Sequence, residues 1–263
     1  MTGASTGIGK DLAEVCAADG NDLVLVARRA DVLQQVARAL EDKYQISVHS
    51  IAEDLTDPKA PDRIIDQLKT RGLAPDILIN NAGAGVYGRF LETDLKEELG
   101  SIQLNVAALT HLTKLILPGM VQRARGRILN VASTAAFQPG PLMAVYYATK
   151  VYVLHLSEAL ANELAGTGVT ITVLCPGPTS TGFQARAGMK NMLLTSKGLM
   201  STSADVARAG YEGMKRGKRV VVPGILNKLL AFSVRLAPRR LPPAIVRQLQ
   251  ERRGKGKGAT AEG

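Results

Sequence analysis

Two side chains near the middle of the sequence are spaced for acid–base chemistry. Tyr146 and Lys150 lie four residues apart in a stretch with helical periodicity, so both side chains project from one face of the helix as neighbours. An ammonium group beside a phenol stabilises the phenolate and lowers the pKa of the tyrosine from about 10 toward the neutral range. The pair is therefore a candidate general acid, while the Tyr-x-x-x-Lys spacing alone is also common in structural helices.

A glycine-rich run at the start of the chain has the composition of a phosphate-binding loop. The sequence of the run is Thr2-Gly3-Ala4-Ser5-Thr6-Gly7-Ile8-Gly9. An apolar stretch with helical periodicity follows at residues 8–18. Glycines let the backbone approach a pyrophosphate, and a helix N-terminus supplies unpaired N–H groups and a positive dipole end. The G-x3-G-x-G spacing differs from the common G-x-G-x-x-G pattern, so the loop by itself is weak evidence.

Basic residues follow the first predicted strand, where dinucleotide specificity is decided. The strand at residues 22–27 is followed by Arg28 and Arg29. An acidic residue here bonds the ribose 2′-hydroxyl of NAD, whereas a basic one accommodates the 2′-phosphate of NADP. Asp31 falls in the first turn of the next predicted helix, where it serves the helix dipole. We therefore predict NADP(H) as the cofactor, with Arg28 at its phosphate; solvated surface arginines are the alternative.

Alternating apolar runs and amphipathic stretches must position these groups. Continuous Val, Ile and Leu runs predict strands at residues 22–27, 46–51, 76–80, 127–131, 169–174 and 219–222. Helical periodicity predicts helices at residues 8–18, 31–43, 58–71, 145–165 and 204–215. It also predicts one long helix or two abutting ones at residues 94–120, ended near Pro118. This alternation predicts an α/β fold with a Rossmann-type, doubly wound parallel sheet, in which ligands bind at the carboxyl ends of the strands.

Further polar motifs follow several of these strands in a fixed order. They are Asp54-Leu55, Asn80-Asn81-Ala82-Gly83, Asn105, Ser133 and Pro176-Gly177. Together with the glycine-rich run, Tyr146 and Lys150, this order resembles the short-chain dehydrogenase/reductase family over about residues 2–222.

The resemblance implies an NADPH-dependent reduction of a ketone or aldehyde to an alcohol. It implies that Tyr146 donates the proton, Lys150 bonds the nicotinamide ribose, and Ser133 orients the substrate oxygen. It implies that Asn105 places a water linking Lys150 to solvent. It also implies cofactor contacts at Gly3, Ser5, Thr6, Gly7, Ile8, Gly9, Asp54, Leu55, Asn81, Ala82, Gly83, Tyr146, Lys150, Pro176, Gly177 and Thr181. Tyr147 and Tyr152 match no catalytic position and are expected to pack. A homo-oligomer formed through the long central helices is a further expectation.

One departure from the family pattern lies at the N-terminus. Family members carry an apolar strand immediately before the Thr-Gly pair, and this sequence has only Met1 there. Burying the side chains of such a strand contributes roughly 10 kcal/mol, comparable with a whole-domain stability of about 5–15 kcal/mol. We therefore expect the first sheet strand to be truncated in this sequence and the natural protein to extend upstream.

Composition and charge exclude several classes of protein. The chain has 263 residues, 46% of them hydrophobic, which indicates a globular protein rather than a disordered or fibrous one. Two cysteines and three histidines, all scattered, predict no metal site. Residues 214–263 carry 13 Lys and Arg against two acidic residues, whereas residues 1–213 are close to neutral. The net charge of +10 therefore belongs to the C-terminal segment, and nucleic acid is not the expected partner.

The chain divides into a domain and two C-terminal segments. Residues 1–222 form the predicted catalytic domain, residues 223–253 a basic and apolar helical extension, and residues 254–263 a disordered tail. Apolar residues with interspersed Lys and Arg suit contact with anionic lipid at residues 225–253. The alternative is that these helices pack on the domain. No targeting signal is visible, so we expect a cytoplasmic protein, with or without peripheral membrane contact.

The residues on the substrate side indicate an apolar substrate. The loop 137–143 lies between Ser133 and Tyr146, and the stretch 179–200 is rich in methionine and leucine. Flexible apolar cover of this kind suits a hydrophobic carbonyl compound. A 3-oxoacyl thioester and a steroid-like ketone are the rival substrates. The alternative function is a non-catalytic NADP(H)-binding or membrane-docking module on the same fold.

Overall fold

A computed structural model describes residues 1–189 and 200–251. Its strands are β1 (Leu23–Ala27), β2 (Val48–Ala52), β3 (Ile77–Asn80), β4 (Gly126–Val131), β5 (Val169–Leu174), β6 (Thr179–Ser180), β7 (Ser201–Thr202) and β8 (Val220–Val221). Its α-helices are α1 (Gly7–Ala18), α2 (Ala30–Tyr44), α3 (Ala60–Thr70), α4 (Leu95–Ile102), α5 (Leu109–Gln122), α6 (Ala144–Glu163), α7 (Phe183–Arg186), α8 (Ser203–Lys215), α9 (Ile225–Ser233) and α10 (Leu241–Gln250).

The main strands are all parallel and run in the order β2-β1, then β3-β4-β5-β8. The two groups meet at the N-terminus of the chain. Thr2 forms a parallel bridge with Val26 of β1 and donates its N–H to Ile79 of β3 at 2.9 Å. Met1 and Thr2 therefore occupy the position between β1 and β3 at which a truncated first strand was predicted. The predicted doubly wound parallel sheet is confirmed.

Both faces of the sheet are buried under helices. Leu129 and Val131 of β4 face the cluster formed with α1, α2 and α8. Ile128, their neighbour in the same strand, faces α5 and α6 on the other side. Because successive residues of a strand point to opposite faces, a strand covered on both sides needs an unbroken apolar run. This explains why the strands are so clearly marked in the sequence.

The long helical segment between β3 and β4 corrects one prediction. It runs from Leu95 to Gln122, with a π-helical turn at Gln103–Ala108, and it does not end near Pro118. Pro118 removes only the one N–H that would donate to the carbonyl of residue 114, so the other hydrogen bonds of the helix remain. The segment is long and apolar enough to cross a membrane. Its α5 half packs against α3, β3 and β4, as core helices of soluble proteins also do.

The two C-terminal helices differ in how they contact the rest of the protein. Helix α9 has no buried residue, whereas Val246 and Gln250 of α10 are buried against the domain. The packing alternative is therefore correct for α10. The predicted tail at residues 254–263 and part of the methionine-rich stretch, residues 190–199, lie outside the described residues.

Candidate active site

The glycine-rich loop turns tightly between the first residues of the chain and α1. Gly3 and Gly7 have φ of +66° and +56°, which other residues rarely adopt. A Cβ on Gly9 would lie 2.1 Å from the carbonyl oxygen of Gly3, so only glycine permits this approach. Thr6 is the N-cap of α1, and its side chain does not cap the helix. The N-terminal N–H groups of α1 are therefore available to a phosphate.

Hydrogen bonds fasten this loop to the end of β3. The Thr2 hydroxyl accepts from the N–H groups of Asn81 and Ala82, each at 3.1 Å. In return, the Asn81 side-chain amide donates to the carbonyls of Thr2 and Gly3, both at 3.1 Å. The side chain of Asn81, expected at the adenine, thus also holds the phosphate loop in shape.

The predicted specificity residues lie together after β1 and β2. Arg28 follows β1 directly and lies 3.8 Å from the carboxylate of Asp54, its side chain 67% exposed. Asp31 lies in the first turn of α2, as predicted. Arg28 and Arg29 therefore present two positive charges at the same edge of the sheet as the glycine-rich loop, with Asp54 and Leu55 beside them.

The candidate catalytic side chains come from the end of β4 and the start of α6. The Ser133 hydroxyl accepts from the N–H of Ala135 at 3.1 Å and donates to the carbonyl of Pro176 at 3.4 Å. Lys150 lies one helical turn after Tyr146, with its Nζ 5.7 Å from the centre of the tyrosine ring. The same Nζ donates to the carbonyl of Val131 at 2.9 Å. The predicted Tyr and Lys neighbours are thus found on one face of α6, opposite Ser133.

The direction of the Tyr146 pKa differs from the prediction. Burial raises the pKa of Tyr146 above its usual value, and a hydrogen bond with the Ser133 hydroxyl only partly opposes this. Burial also lowers the pKa of Lys150 from 10.5 to about 8. Burial is the largest cause of the pKa shift in both groups, and it outweighs any lowering of the Tyr146 pKa by the nearby lysine. Tyr146 therefore keeps its proton at neutral pH, the form that a proton donor needs.

The burial of Lys150 predicts a pH-dependent difference in stability. Because the folded pKa is about 8 and the unfolded value 10.5, the unfolded chain binds more protons between these two pH values. The free energy of unfolding of the ligand-free wild type should rise over this interval relative to that of Lys150→Met, by about 3 kcal/mol. Denaturant unfolding of both proteins from pH 7 to pH 10.5 measures this, and a difference independent of pH would contradict it.

Asn105 lies in the π-helical turn behind the lysine. It is 1% exposed, donates to the Ala84 carbonyl at 2.8 Å and to the Thr149 hydroxyl at 3.0 Å, and accepts from the Ala84 N–H. A Cβ on Gly83 would lie 3.3 Å from the Asn105 carbonyl oxygen and 3.4 Å from the Lys150 Nζ. Asn105 therefore links α6 to the segment after β3, close to the lysine.

One cavity of about 800 Å³ joins these regions. Apart from Asn105, every predicted site residue lines it, from the glycine-rich loop and Arg28 to Ser133, Tyr146 and Lys150. Thr181 lies over the loop, since a Cβ on Gly7 would be 3.1 Å from its side chain. The open helix N-terminus and the glycine cradle fit the pyrophosphate of a nicotinamide dinucleotide.

Three of the residues of this region that sequence reasoning missed lie close to the candidate catalytic side chains. Gly85 gives room to the Tyr146 ring, because a Cβ there would lie 2.8 Å from it. Tyr147, expected only to pack, also lines the cavity, and so does Gln250 of α10. The repeated glycine of Gly83-Ala84-Gly85 was a signal for the first of these. No local pattern marks the other two.

Comparison with known proteins identifies the family. The model of the family described as short chain dehydrogenase matches residues 1–191. The chain belongs to the short-chain dehydrogenase family. It is 37% identical over 182 residues to the human very-long-chain 3-oxoacyl-CoA reductase. The aligned region covers 67% of this chain and 57% of the human protein. The chain thus spans little more than half the length of that relative.

Solved short-chain dehydrogenases share this architecture. A short-chain dehydrogenase from Sphingobium yanoikuyae in complex with NADPH is 33% identical, with a TM-score of 0.80 over 89% of this chain and 90% of the other. A family member from Burkholderia phymatum in complex with NAD is 25% identical, with a TM-score of 0.78 over 90% of each chain. Short-chain dehydrogenases similar to this one therefore hold nicotinamide dinucleotides of both kinds.

Proposed function

We propose that this short-chain dehydrogenase reduces an apolar ketone or aldehyde to an alcohol with NADPH. The observation that carries the proposal is the arrangement of Ser133, Tyr146 and Lys150 around one cavity that continues to the glycine-rich loop and Arg28. NADPH would supply hydride to the carbonyl carbon when bound. The Tyr146 hydroxyl would donate a proton to the carbonyl oxygen, and the Ser133 hydroxyl would orient that oxygen by a hydrogen bond.

Other residues hold the cofactor and the proton donor in place. The α1 N-terminus and the glycine-rich loop would bind the pyrophosphate, while Arg28 and Arg29 would pair with the 2′-phosphate and favour NADP over NAD. Lys150 would bond the nicotinamide ribose. Asn105 would support reprotonation through its contacts beside Lys150.

The wall beyond Tyr146 supports an apolar substrate. The Phe183 ring lies 5.2 Å from the Tyr146 ring, between centroids, and both belong to an apolar cluster with Met143, Ala187 and Met189. Large apolar side chains around the polar reacting groups suit a carbonyl group on a lipophilic scaffold. The name of the human relative favours a 3-oxoacyl thioester over a steroid-like ketone.

A substrate screen tests the proposed function. The oxidation of NADPH is followed at constant protein concentration with 3-oxoacyl thioesters, steroid ketones and small carbonyl compounds. We expect turnover of at least one lipophilic ketone or thioester and little turnover of small carbonyl compounds. Binding of NADPH without oxidation by any member of the panel would favour the alternative, a non-catalytic NADP(H)-binding or docking module.

We also propose that α9 contacts the surface of a membrane on the cytoplasmic side. Its large apolar side chains are more than half exposed, including Leu229 at 63% and Phe232 at 59%. Lys228 lies within α9, and Arg235 follows two residues after its end. Apolar side chains that enter the acyl boundary, beside cations that pair with anionic headgroups, are the combination found in interfacial helices.

The membrane proposal predicts a loss of vesicle binding. Replacing Leu229 and Phe232 by Gln should lower co-sedimentation with anionic phospholipid vesicles at least tenfold, because each side chain contributes about 1.5–3 kcal/mol when it leaves water. Leu91→Gln is the matched control, since Leu91 is 97% exposed and lies outside α9. Equal binding by all three proteins, or no binding by the wild type, would contradict the proposal.

A further inference from the structure

The last residue of α10 reaches the candidate active site. Gln250 is 1% exposed and lines the cavity, although it belongs to the basic C-terminal segment. Its side-chain Nε2 donates to the Tyr147 hydroxyl, and its backbone carbonyl accepts from the Tyr87 hydroxyl at 2.9 Å. Two tyrosines of the domain therefore fix both the backbone and the side chain of this glutamine.

The other half of the Gln250 amide has no partner within the described part of the chain. Its Oε1 is buried and accepts no hydrogen bond there. A buried acceptor without a partner destabilises the folded state, so native proteins seldom leave one unpaired without a function. Because the residue lines the cavity, rotation of its amide toward a bound molecule would bring Oε1 to the missing donor.

Tyr147 provides a donor beside this acceptor. Its hydroxyl oxygen accepts from Gln250, which leaves its own proton for another acceptor. Burial raises the pKa of Tyr147 to about 12, so the proton stays on the phenol at neutral pH. The Gln250 and Tyr147 side chains thus form a donor–acceptor pair at the cavity wall.

The surroundings of the pair are apolar and adjoin the proton donor. Tyr147 and Val246 belong to the apolar cluster that contains Tyr146, Ala135 and Met143. The Tyr147 ring meets the Tyr146 ring edge to face, with 6.1 Å between centroids. The pair therefore lies close enough to Tyr146 for one substrate molecule to contact both.

We propose that Gln250 and Tyr147 recognise a substrate group that both donates and accepts a hydrogen bond, as a secondary amide does. The amide N–H would donate to Gln250 Oε1, and the amide carbonyl would accept from the Tyr147 hydroxyl. A thioester whose carrier arm contains an amide has this chemistry, and so has a lipophilic ketone with a remote hydroxyl. The inference rests on the proposed function, because it assigns specificity to the same cavity.

Paired substrates test this assignment. The first pair is the 3-oxooctanoyl thioester of N-acetylcysteamine and that of pentanethiol, which has a similar shape but no amide. The second pair is a steroid ketone with and without a remote hydroxyl. In the wild type we expect kcat/KM to favour the member with the polar group by about tenfold in one pair. That pair identifies which substrate class, the amide-bearing thioester or the hydroxyl-bearing ketone, supplies the recognised group.

Removing the polar atoms should abolish the preference. Gln250→Met keeps the length of the side chain and Tyr147→Phe keeps the ring, so each variant should bring the ratio of kcat/KM values close to one. Val246→Ala is the matched control, since it loosens the same helix without removing a polar atom. It should lower both values together and leave the ratio unchanged.

The outcomes separate this inference from the proposed function. A wild-type ratio near one in both pairs, or a ratio that survives both Gln250→Met and Tyr147→Phe, would overturn the assignment. The affinities of the four compounds are also measured by calorimetry with NADPH-loaded Tyr146→Phe, with and without Gln250→Met. This measurement needs no turnover. A preference in affinity for the polar member that Gln250→Met removes would support the role of Gln250 even if the wild type reduces none of the compounds, and an affinity preference that Gln250→Met leaves unchanged would contradict it.

Discussion

Replacing Tyr146 by Phe should lower kcat for carbonyl reduction about 10³-fold, the size expected for removal of a positioned general acid. Phenylalanine keeps the ring that packs against Phe183 and fits over Gly85, and it lacks only the hydroxyl. The cofactor end of the cavity lies at the glycine-rich loop and is not altered. The affinity for NADPH should therefore change less than about threefold, because the lost group acts on the substrate oxygen.

Steady-state kinetics and a fluorescence titration with NADPH measure the two effects. Tyr152→Phe is the matched control, because Tyr152 lies on the same helix, is 38% exposed, and forms a hydrogen bond with Thr110 outside the cavity. It should retain at least half of the wild-type kcat. A Tyr146→Phe protein with more than a tenth of the wild-type kcat would assign the proton to another donor.

The elements that carry the site were predictable because their positions are set by local pattern. The observed strands β1 and β3–β5 begin and end within one residue of the predicted bounds, since a strand buried on both faces is a continuous apolar run. Parallel strands bring their carboxyl ends to one edge, so Arg28, Asn81 and Ser133 had to lie close together. The order of these motifs gave the family, which the family model confirms.

The balance of forces on Tyr146 was not predictable from spacing alone. Helical geometry places Lys150 beside the ring, but the Nζ donates to the Val131 carbonyl of the neighbouring strand. Burial, which depends on the whole assembled fold, then dominates the pKa of both residues. A four-residue spacing therefore indicates which groups meet, and the surrounding packing decides what each group's pKa becomes.

The place of α10 could not be predicted for a related reason. The sequence of residues 223–253 contains apolar and basic residues that suit either a membrane or a protein surface. Only the folded chain brings Val246 and Gln250 against Tyr147, which is about a hundred residues away in sequence. Helices α9 and α10 both consist largely of apolar residues with interspersed basic ones. Composition alone therefore could not predict that α9 is exposed and α10 is buried on one face.

Replacing Arg28 by Asp should reverse the preference between NADPH and NADH. Arg28 follows β1 at the end of the cavity where the adenosine ribose would lie, and its side chain is free enough to reach a phosphate. Loss of one charge-assisted hydrogen bond costs about 1.5–3 kcal/mol. The new carboxylate also repels a 2′-phosphate and can accept from a 2′-hydroxyl. Together these changes should alter the ratio of the two dissociation constants about 100-fold.

Titration of each cofactor into the wild type and the variant measures this ratio. Arg38→Asp is the matched control, because it makes the same change of charge on the exposed side of α2, away from the cavity. The control should shift both affinities slightly and in parallel. If Arg28→Asp behaved like Arg38→Asp, the 2′-phosphate would have to be held by Arg29 alone, and Arg29→Asp should then produce the reversal. A preference that neither substitution changes would remove the physical basis for NADP as the cofactor, because Arg28 and Arg29 are the basic residues that line this end of the cavity in the described part of the chain.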